Sequence, residues 1–151
     1  MKHDIVNAAD IDALVTAFYQ KVLPDPIIGF IFTDIAGIDL AQHLPKIAGF
    51  WHKILLPQSP EGQAYKGRTF EIHQHLHQRC QLNEHHFQRW VLLFTRTVDE
   101  LYAGPLADLT KQRAAAIAES MHKGLHNKAA TQHMLQREQT GVQFFEPDQS
   151  A

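Results

Sequence analysis

The sequence predicts an all-α protein, and three observations lead to this prediction. Apolar residues recur at intervals of three and four along most of the chain, which is the spacing of one helix face. Valine and isoleucine do not alternate with polar residues for long enough to indicate a strand. Proline, glycine and asparagine stand where the apolar periodicity stops, as they do at helix ends. The 151 residues are enough for one helical domain with a buried core.

The first predicted helix carries an apolar face at helical spacing, and it ends at Pro24 and Pro26 because proline cannot continue a helix. This face consists of Ile11, Leu14, Val15, Phe18, Tyr19 and Val22. Residues 27–32 are interpreted as a turn or a short helix, since Gly29 weakens a longer one. Residues 34–39 are predicted to form a loop.

The second helix is predicted over residues 44–56, with Pro45 in the first turn, where a missing amide donor does no harm. Its inner face is formed by Ile47, by Phe50 or Trp51, and by Ile54. Residues 58–67 are predicted to be a loop because the Ser-Pro-Glu-Gly run within them is rich in turn formers. A short helix is expected over residues 69–76.

A long helix is predicted to begin after Asn83, a favourable cap residue, and to reach about Tyr102. Its apolar stripe consists of Phe87, Trp90, Val91, Phe94, Val98 and Leu101. Gly104 and Pro105 end this helix and begin another. The apolar residues of that last helix are Leu106, Leu109, Ala114, Ile117, Met121 and Leu125.

The chain becomes polar and rich in glutamine after Asn127. A segment with few large apolar groups buries too little surface to fold strongly on its own. We therefore expect a folded domain over residues 1–126 and a polar C-terminal extension over residues 127–151, partly helical or disordered.

Charge and composition exclude several classes of function. The formal net charge is −2 and no block of Lys and Arg occurs, so a nucleic-acid partner is not expected. No apolar run approaches the roughly 18 residues needed to span a bilayer, and the N-terminus lacks the apolar core of a signal peptide. The single cysteine, Cys80, cannot form an internal disulfide, which fits a reducing compartment. We expect a cytoplasmic protein without a membrane partner.

Several common catalytic and binding motifs are missing from the sequence. It contains no Gly-rich phosphate loop and no His-Glu-x-x-His zinc motif. It also lacks a Cys-x-x-Cys pair, a Cys-x-x-Cys-His site for covalent haem attachment, and a Gly-x-Ser-x-Gly nucleophile elbow.

Histidine is abundant, with eleven residues against fourteen Lys and Arg together. His73, His75 and His77 alternate along the chain, so on a strand they would face one side and form a metal site. On a helix they spread around the axis and do not converge on one ion. Because the local pattern favours helix or loop, we do not expect the three to share a metal. Solvation of two of them is the plainer interpretation.

Three residues with polar atoms lie on the apolar faces of predicted helices or, for His43, on the continuation of such a face one turn before Ile47: Tyr19, His43 and Trp90. Each taken singly is more often a core residue that has found its hydrogen-bond partner within the protein. Together they indicate a polar patch inside an apolar pocket, which is what a bound ligand requires.

An ordered set of short segments resembles the truncated haemoglobins, specifically group III of that family. The set includes a histidine seven residues before Phe50-Trp51 and another histidine six residues after the glycine of Tyr65-x-Gly67. The matching segments are Phe18-Tyr19 with Val22 and Asp25, Ile31-Phe32, His43-Leu44-Pro45-Lys46 with Phe50-Trp51, Tyr65-x-Gly67 leading to His73, and Phe87-x-x-Trp90-Val91-x-x-Phe94. The resemblance covers about residues 11–125.

The resemblance implies a two-over-two truncated-globin helical sandwich around non-covalent haem b, which is iron protoporphyrin IX. His73 corresponds to the proximal iron ligand, and is favoured by its distance from the loop glycine over His75 or His77. The distal residues that surround a bound ligand correspond to Tyr19, His43 and Trp90. The remaining residues of the implied haem pocket are Phe32, Ile47, Phe50, Trp51 and Phe94. Phe32 corresponds to a phenylalanine that wedges against the haem. Arg68 or Lys66 is expected at a haem propionate from its position in the sequence alone.

The function implied is reversible binding of dioxygen, nitric oxide, carbon monoxide or similar small ligands. Tyr19 and Trp90 are donors that would stabilise a ligand carrying partial negative charge. Tight retention suits redox chemistry, such as nitric oxide dioxygenase or peroxidase-like activity supported by a reductase, better than oxygen delivery. His43 either gates the pocket or binds iron as a sixth ligand. We expect a monomer or a weak homo-oligomer.

The alternative from a different class is a non-haem helical protein that binds zinc or nickel through its histidines, or serves as an interaction module. A metal cage would need acidic or cysteine partners at helical spacing from the histidines, and none is well placed.

Overall fold

The computed structural model describes residues 1–146, and this part of the chain is helical without any strand. The predicted all-α class is therefore confirmed. The elements are α1 Ala8–Val22, a π-helical turn Ile31–Ile35, α2 Leu40–Leu55, α3 Pro60–Ala64, α4 Thr69–Arg79, α5 Glu84–Leu101, α6 Pro105–Leu125 and α7 Lys128–Gln139. Residues 147–151 of the predicted extension lie outside the described residues. No helix in residues 1–146 combines the length and apolarity needed to cross a membrane.

Side-chain caps set where several helices begin. The Asn7 carboxamide accepts from the Asp10 N–H at the start of α1, and Asp39 accepts from the Ala41 N–H at the start of α2. The predicted cap at Asn83 is present as a capping box, in which His86 Nδ1 accepts from the Asn83 N–H at 3.0 Å. These caps satisfy backbone donors that have no partner inside a helix.

Two predicted boundaries were wrong for the same reason, an unrecognised cap. Helix α2 begins at Leu40 rather than residue 44, because Asp39 already caps its first turn. Residues 58–67 were predicted to be a loop but contain α3, since Ser59 Oγ accepts from the Gly62 N–H at 2.9 Å and Pro60 occupies the first helical position. Serine and proline, which also favour turns, here form the start of a short helix.

The helices form two layers, α1 with α2 and α5 with α6, and the two layers meet where α1 contacts α5. Helix α1 lies against both α2 and α5, and α5 lies against α6. The short helix α4 contacts α6 and α7. Asp25, which follows α1, is joined to α5 by a hydrogen bond in which its Oδ1 accepts from Arg89 at 2.6 Å.

Aromatic side chains fill the space between α1, α2 and α5. The ring of Phe94 stacks on Trp51 with centroids 4.7 Å apart and on Trp90 with centroids 5.2 Å apart. The ring of Phe18 lies nearly perpendicular to the rings of Phe94 and Trp90. Such offset and edge contacts stabilise specific ring orientations. They fix Trp90 against a buried wall and hold its ring in one place.

Candidate functional site

A cavity of about 250 Å³ opens between the helices, and its walls are mainly apolar. Helices α1, α2, α4, α5 and α6 all contribute to it, together with the π-helical turn and the residues that follow it. Ile72 lines the cavity while 58% of its surface is exposed, so it lies at the opening. An apolar cavity with a few polar groups is the usual form of a small-molecule or cofactor site.

The structure brings most of the predicted site residues to this one cavity. They come from both layers of the fold and from the π-helical turn. Those that line it are Tyr19, Phe32, His43, Ile47, Phe50, Trp51, His73 and Trp90.

Three other residues that the sequence placed at the site do not line the cavity. Phe94 is fully buried behind the wall, where it supports Trp51 and Trp90 by stacking. Arg68 is about half exposed at the start of α4, and its guanidinium lies 3.6 Å from Glu71. Lys66 is exposed outside the cavity. The cation that does line it is Lys46 of α2.

His73 presents one nitrogen with a free lone pair. Its Nδ1 donates to the Thr69 carbonyl oxygen at 2.8 Å, since a carbonyl can only accept. The proton of the neutral ring is therefore on Nδ1, and Nε2 keeps the lone pair that a metal would bind. Burial lowers the pKa of His73, which outweighs the opposite effect of the Thr69 bond. His73 is therefore neutral near pH 7, the state that metal binding requires.

The carbonyl that holds His73 belongs to a residue that is itself anchored. The Thr69 hydroxyl lies 2.5 Å from the Tyr65 hydroxyl, so a hydrogen bond joins them. Both Thr69 and Tyr65 line the cavity. A chain of bonds thus runs from the segment before α4 to the ring of His73, and the ring orientation depends on that segment.

His75 and His77 have different surroundings from His73. His75 is exposed. His77 Nδ1 accepts from the Leu82 N–H at 2.9 Å, so its ring carries the proton on Nε2 when neutral. All three lie on α4, where they diverge, and residues 1–146 contain no group of three or more His, Cys, Asp or Glu that could hold a metal ion.

Tyr19, His43 and Trp90 line the cavity, and their polar side-chain atoms have no hydrogen-bond partner in residues 1–146. Tyr19 is 5% exposed, and its ring contacts are with Phe18 and Phe32. Burial raises the pKa of Tyr19 well above its usual range, so the hydroxyl keeps its proton and can donate. Among the described residues, none of these three side chains makes a hydrogen bond with another protein group. A buried tyrosine such as Tyr19 normally finds such a partner.

Sequence reasoning missed several cavity residues. They are Lys46, Tyr65, Thr69, Ile72, Leu76, His86, Phe87 and Met121. Two had a usable signal. Thr69 lies four residues before His73, which is the helical position for a carbonyl that accepts from a side chain, and His86 lies three residues after the Asn83 cap.

The fold and the cavity together define a small all-α protein whose helices enclose an apolar cavity lined by a neutral histidine. The chain is 28% identical over 129 residues to the group 3 truncated haemoglobin ctb of Campylobacter jejuni, a match that covers 83% of this chain and 96% of the relative. No family model matches the sequence.

The structural comparison agrees with the sequence comparison. The crystal structure of the group III truncated haemoglobin from Campylobacter jejuni matches with a TM-score of 0.71 at 28% identity, covering 84% of this chain and 97% of that one. The truncated-globin fold and the resemblance to group III truncated haemoglobins are therefore confirmed.

Proposed function

We propose that this chain is a haem protein that binds diatomic gases reversibly. One observation carries the proposal: a neutral histidine with a free Nε2 lone pair shares an apolar cavity with three polar side chains that lack protein partners. The relatives named above are truncated haemoglobins, which supports a haem cofactor and small gaseous ligands. We propose non-covalent haem b, because the chain lacks the motif for covalent attachment.

The residues at the cavity fit this group. His73 supplies the imidazole nitrogen for iron, and the apolar side chains of Ile47, Leu76 and Met121 supply surface against which a porphyrin can lie. Lys46 supplies a cation for a propionate carboxylate, in place of Arg68 or Lys66. When bound, haem supplies an iron that takes up dioxygen, nitric oxide or carbon monoxide and undergoes one-electron redox changes.

The polar side chains determine how strongly a gas molecule is held. The Tyr19 hydroxyl and the Trp90 indole N–H donate to a ligand that carries partial negative charge. Each such bond contributes on the order of 1 kcal/mol, so two slow the release of the ligand by about tenfold or more. His43 lines the same cavity and either controls entry or binds iron itself; the optical spectrum of His43→Ala distinguishes the two.

Slow release suits redox chemistry or scavenging better than oxygen delivery. We accordingly propose nitric oxide dioxygenation or peroxidase-like chemistry as a side activity of a ligand-binding haem protein, a reductase that returns the iron to its ferrous state as a partner, and the cytoplasm as the location. The net charge of −2 gives no reason to expect nucleic acid. We also propose that the haem domain spans residues 1–126 and that the extension begins at residue 127.

Replacement of the Tyr19 hydroxyl tests the proposal directly. In the haem-loaded protein, Tyr19→Phe should raise the dioxygen dissociation rate by roughly fivefold, because one donor to the ligand is lost while the ring remains. Stopped-flow displacement of dioxygen by carbon monoxide measures this rate. The matched control is Tyr102→Phe, which removes a buried hydroxyl that donates to the Asp10 carbonyl away from the cavity. An unchanged rate in Tyr19→Phe would contradict the proposed donor role.

A further inference from the structure

Helix α4, which carries His73, does not cap its own N-terminus. Arg68 occupies the cap position and makes no side-chain hydrogen bond to the first turn. Phe70, the second residue of α4, is fully buried, so solvent cannot satisfy its N–H. A buried backbone donor without a partner is costly, and some other group must therefore accept from this turn.

That acceptor comes from the other end of the chain. Glu138 of α7 is 5% exposed, and its Oε2 accepts from the Phe70 N–H at 2.6 Å while its Oε1 accepts from the Glu71 N–H at 2.9 Å. A carboxylate at this position also opposes the partial positive charge of the helix N-terminus. Glu138 thus does for α4 what Asn7 and Asp39 do locally for α1 and α2.

The segment around Glu138 is fastened to the same region by further contacts; residues 128–146 are called the C-terminal strap here. Gln143 Nε2 donates to the Gly67 carbonyl at 2.9 Å, just before α4. Phe144 is buried, with its ring centroid 5.9 Å from that of Phe70. The strap therefore holds both the chain that enters α4 and the first turn of the helix.

The first turn of α4 is the part that orients His73. His73 Nδ1 donates to the carbonyl of Thr69, the residue directly before the two amides that Glu138 binds. We propose that Glu138 is a positioning residue for His73, acting through this turn to hold the imidazole with Nε2 toward the cavity. The part of this inference that concerns iron rests on the proposed haem function, whereas the part that concerns the ring does not.

The test uses Glu138→Gln, which keeps the shape of the side chain but leaves a single oxygen to accept from two amides. The matched control is Glu146→Gln, which removes the same charge from the same strap at a site 3.7 Å from Lys53. In the haem-free protein, hydrogen exchange of the Phe70 and Glu71 amides should accelerate by about tenfold in Glu138→Gln and stay unchanged in the control. Nitrogen-15 NMR of His73 should show the Nδ1–H form in the wild type and a mixture of tautomers in Glu138→Gln.

In the haem-loaded protein, resonance Raman spectroscopy of the gas-free ferrous state reports the iron–histidine stretching band. This band should shift or broaden in Glu138→Gln and match the wild type in Glu146→Gln. Global destabilisation alone would not move it. If Glu138→Gln fails to fold, Glu138→Asp keeps the charge on a shorter side chain and should show the same changes to a smaller degree.

The outcomes separate the two proposals. A folded Glu138→Gln or Glu138→Asp protein with wild-type exchange, His73 tautomer and iron–histidine band would overturn the positioning role. A wild-type protein that takes up no haem would instead overturn the proposed function, while the exchange and NMR measurements would still decide whether Glu138 positions the ring.

Discussion

At the residue scale, hydrogen bonds distinguish histidines that the sequence presents as equivalent. His73 donates from Nδ1 to a carbonyl, whereas His77 accepts at Nδ1 from the Leu82 N–H, so their neutral rings carry the proton on opposite nitrogens. Only the first arrangement leaves Nε2 free to bind a metal. His77 instead closes the turn between α4 and α5. The spacing from the loop glycine favoured His73, but the tautomers depend on backbone geometry that no sequence pattern reports.

Because His77 Nδ1 accepts from the Leu82 N–H, we predict that the stability of the fold depends on pH. Burial, and then the neighbouring rings of His126 and His122, lower the pKa of His77. The unfolded chain therefore takes up its proton first as the pH falls, and stability is lost progressively below about pH 6.5. His77→Gln should reduce this loss, because its side chain accepts from the Leu82 N–H without titrating.

Urea unfolding between about pH 7.5 and pH 5.5 measures the effect at His77. His75→Gln is the matched control, since His75 is an exposed residue of the same helix. In His77→Gln, the slope of the free energy of unfolding against pH should diminish. It should not vanish, because burial also lowers the pKa of His73 and of His86. The same slope in His77→Gln as in the wild type would contradict the claim that His77 contributes to the loss of stability at low pH.

At the element scale, Asp25 joins the end of α1 to α5. Its Oδ2 accepts from the Ile27 and Ile28 N–H groups, and its Oδ1 accepts from Arg89. The hydrogen bond from Arg89 is the main reason that the pKa of Asp25 is lowered. The ion pair therefore stabilises the fold above about pH 4 and ceases to do so as the pH falls further.

Removal of this carboxylate should be costly because Arg89 loses a nearly buried partner. We expect Asp25→Asn to lower the free energy of unfolding by about 2 to 4 kcal/mol. The control is Asp99→Asn, which breaks an exposed pair with Lys111 and should cost less than about 1 kcal/mol. Denaturant unfolding of both variants compares the two losses, and equal losses would show that the position of Asp25 gives it no special role.

The elements that sequence reasoning described best are those whose signals are local. The long helices α1, α5 and α6 follow from their apolar faces, and α1 and α5 also follow from caps that lie beside them in the chain. Helix α4 was only weakly indicated, because the group that caps it is Glu138 and lies on α7. The same limit applies to Arg68, whose side chain turns toward Glu71 along the helix instead of toward the cavity.

At the scale of the whole molecule, the cavity exists because two helical layers meet around side chains that face inward from both. Helical faces and the family resemblance led to the prediction that Tyr19, His43, Trp90 and His73 share one site, and all four line the cavity. The cation at the cavity and the strap behind α4 were missed, since both depend on where distant parts of the chain fold back. The core of the site is thus encoded locally, while its support comes from contacts of long sequence separation.

The central claim is that one imidazole, that of His73, tethers a haem in this cavity. The most direct measurement is the absorption spectrum of the ferrous protein produced with ample haem, compared between the wild type, His73→Gly and His77→Gly, with and without added imidazole. We predict that His73→Gly alone loses the wild-type spectrum and that imidazole restores it. A His73→Gly protein that remains red with an unaltered spectrum would contradict the account.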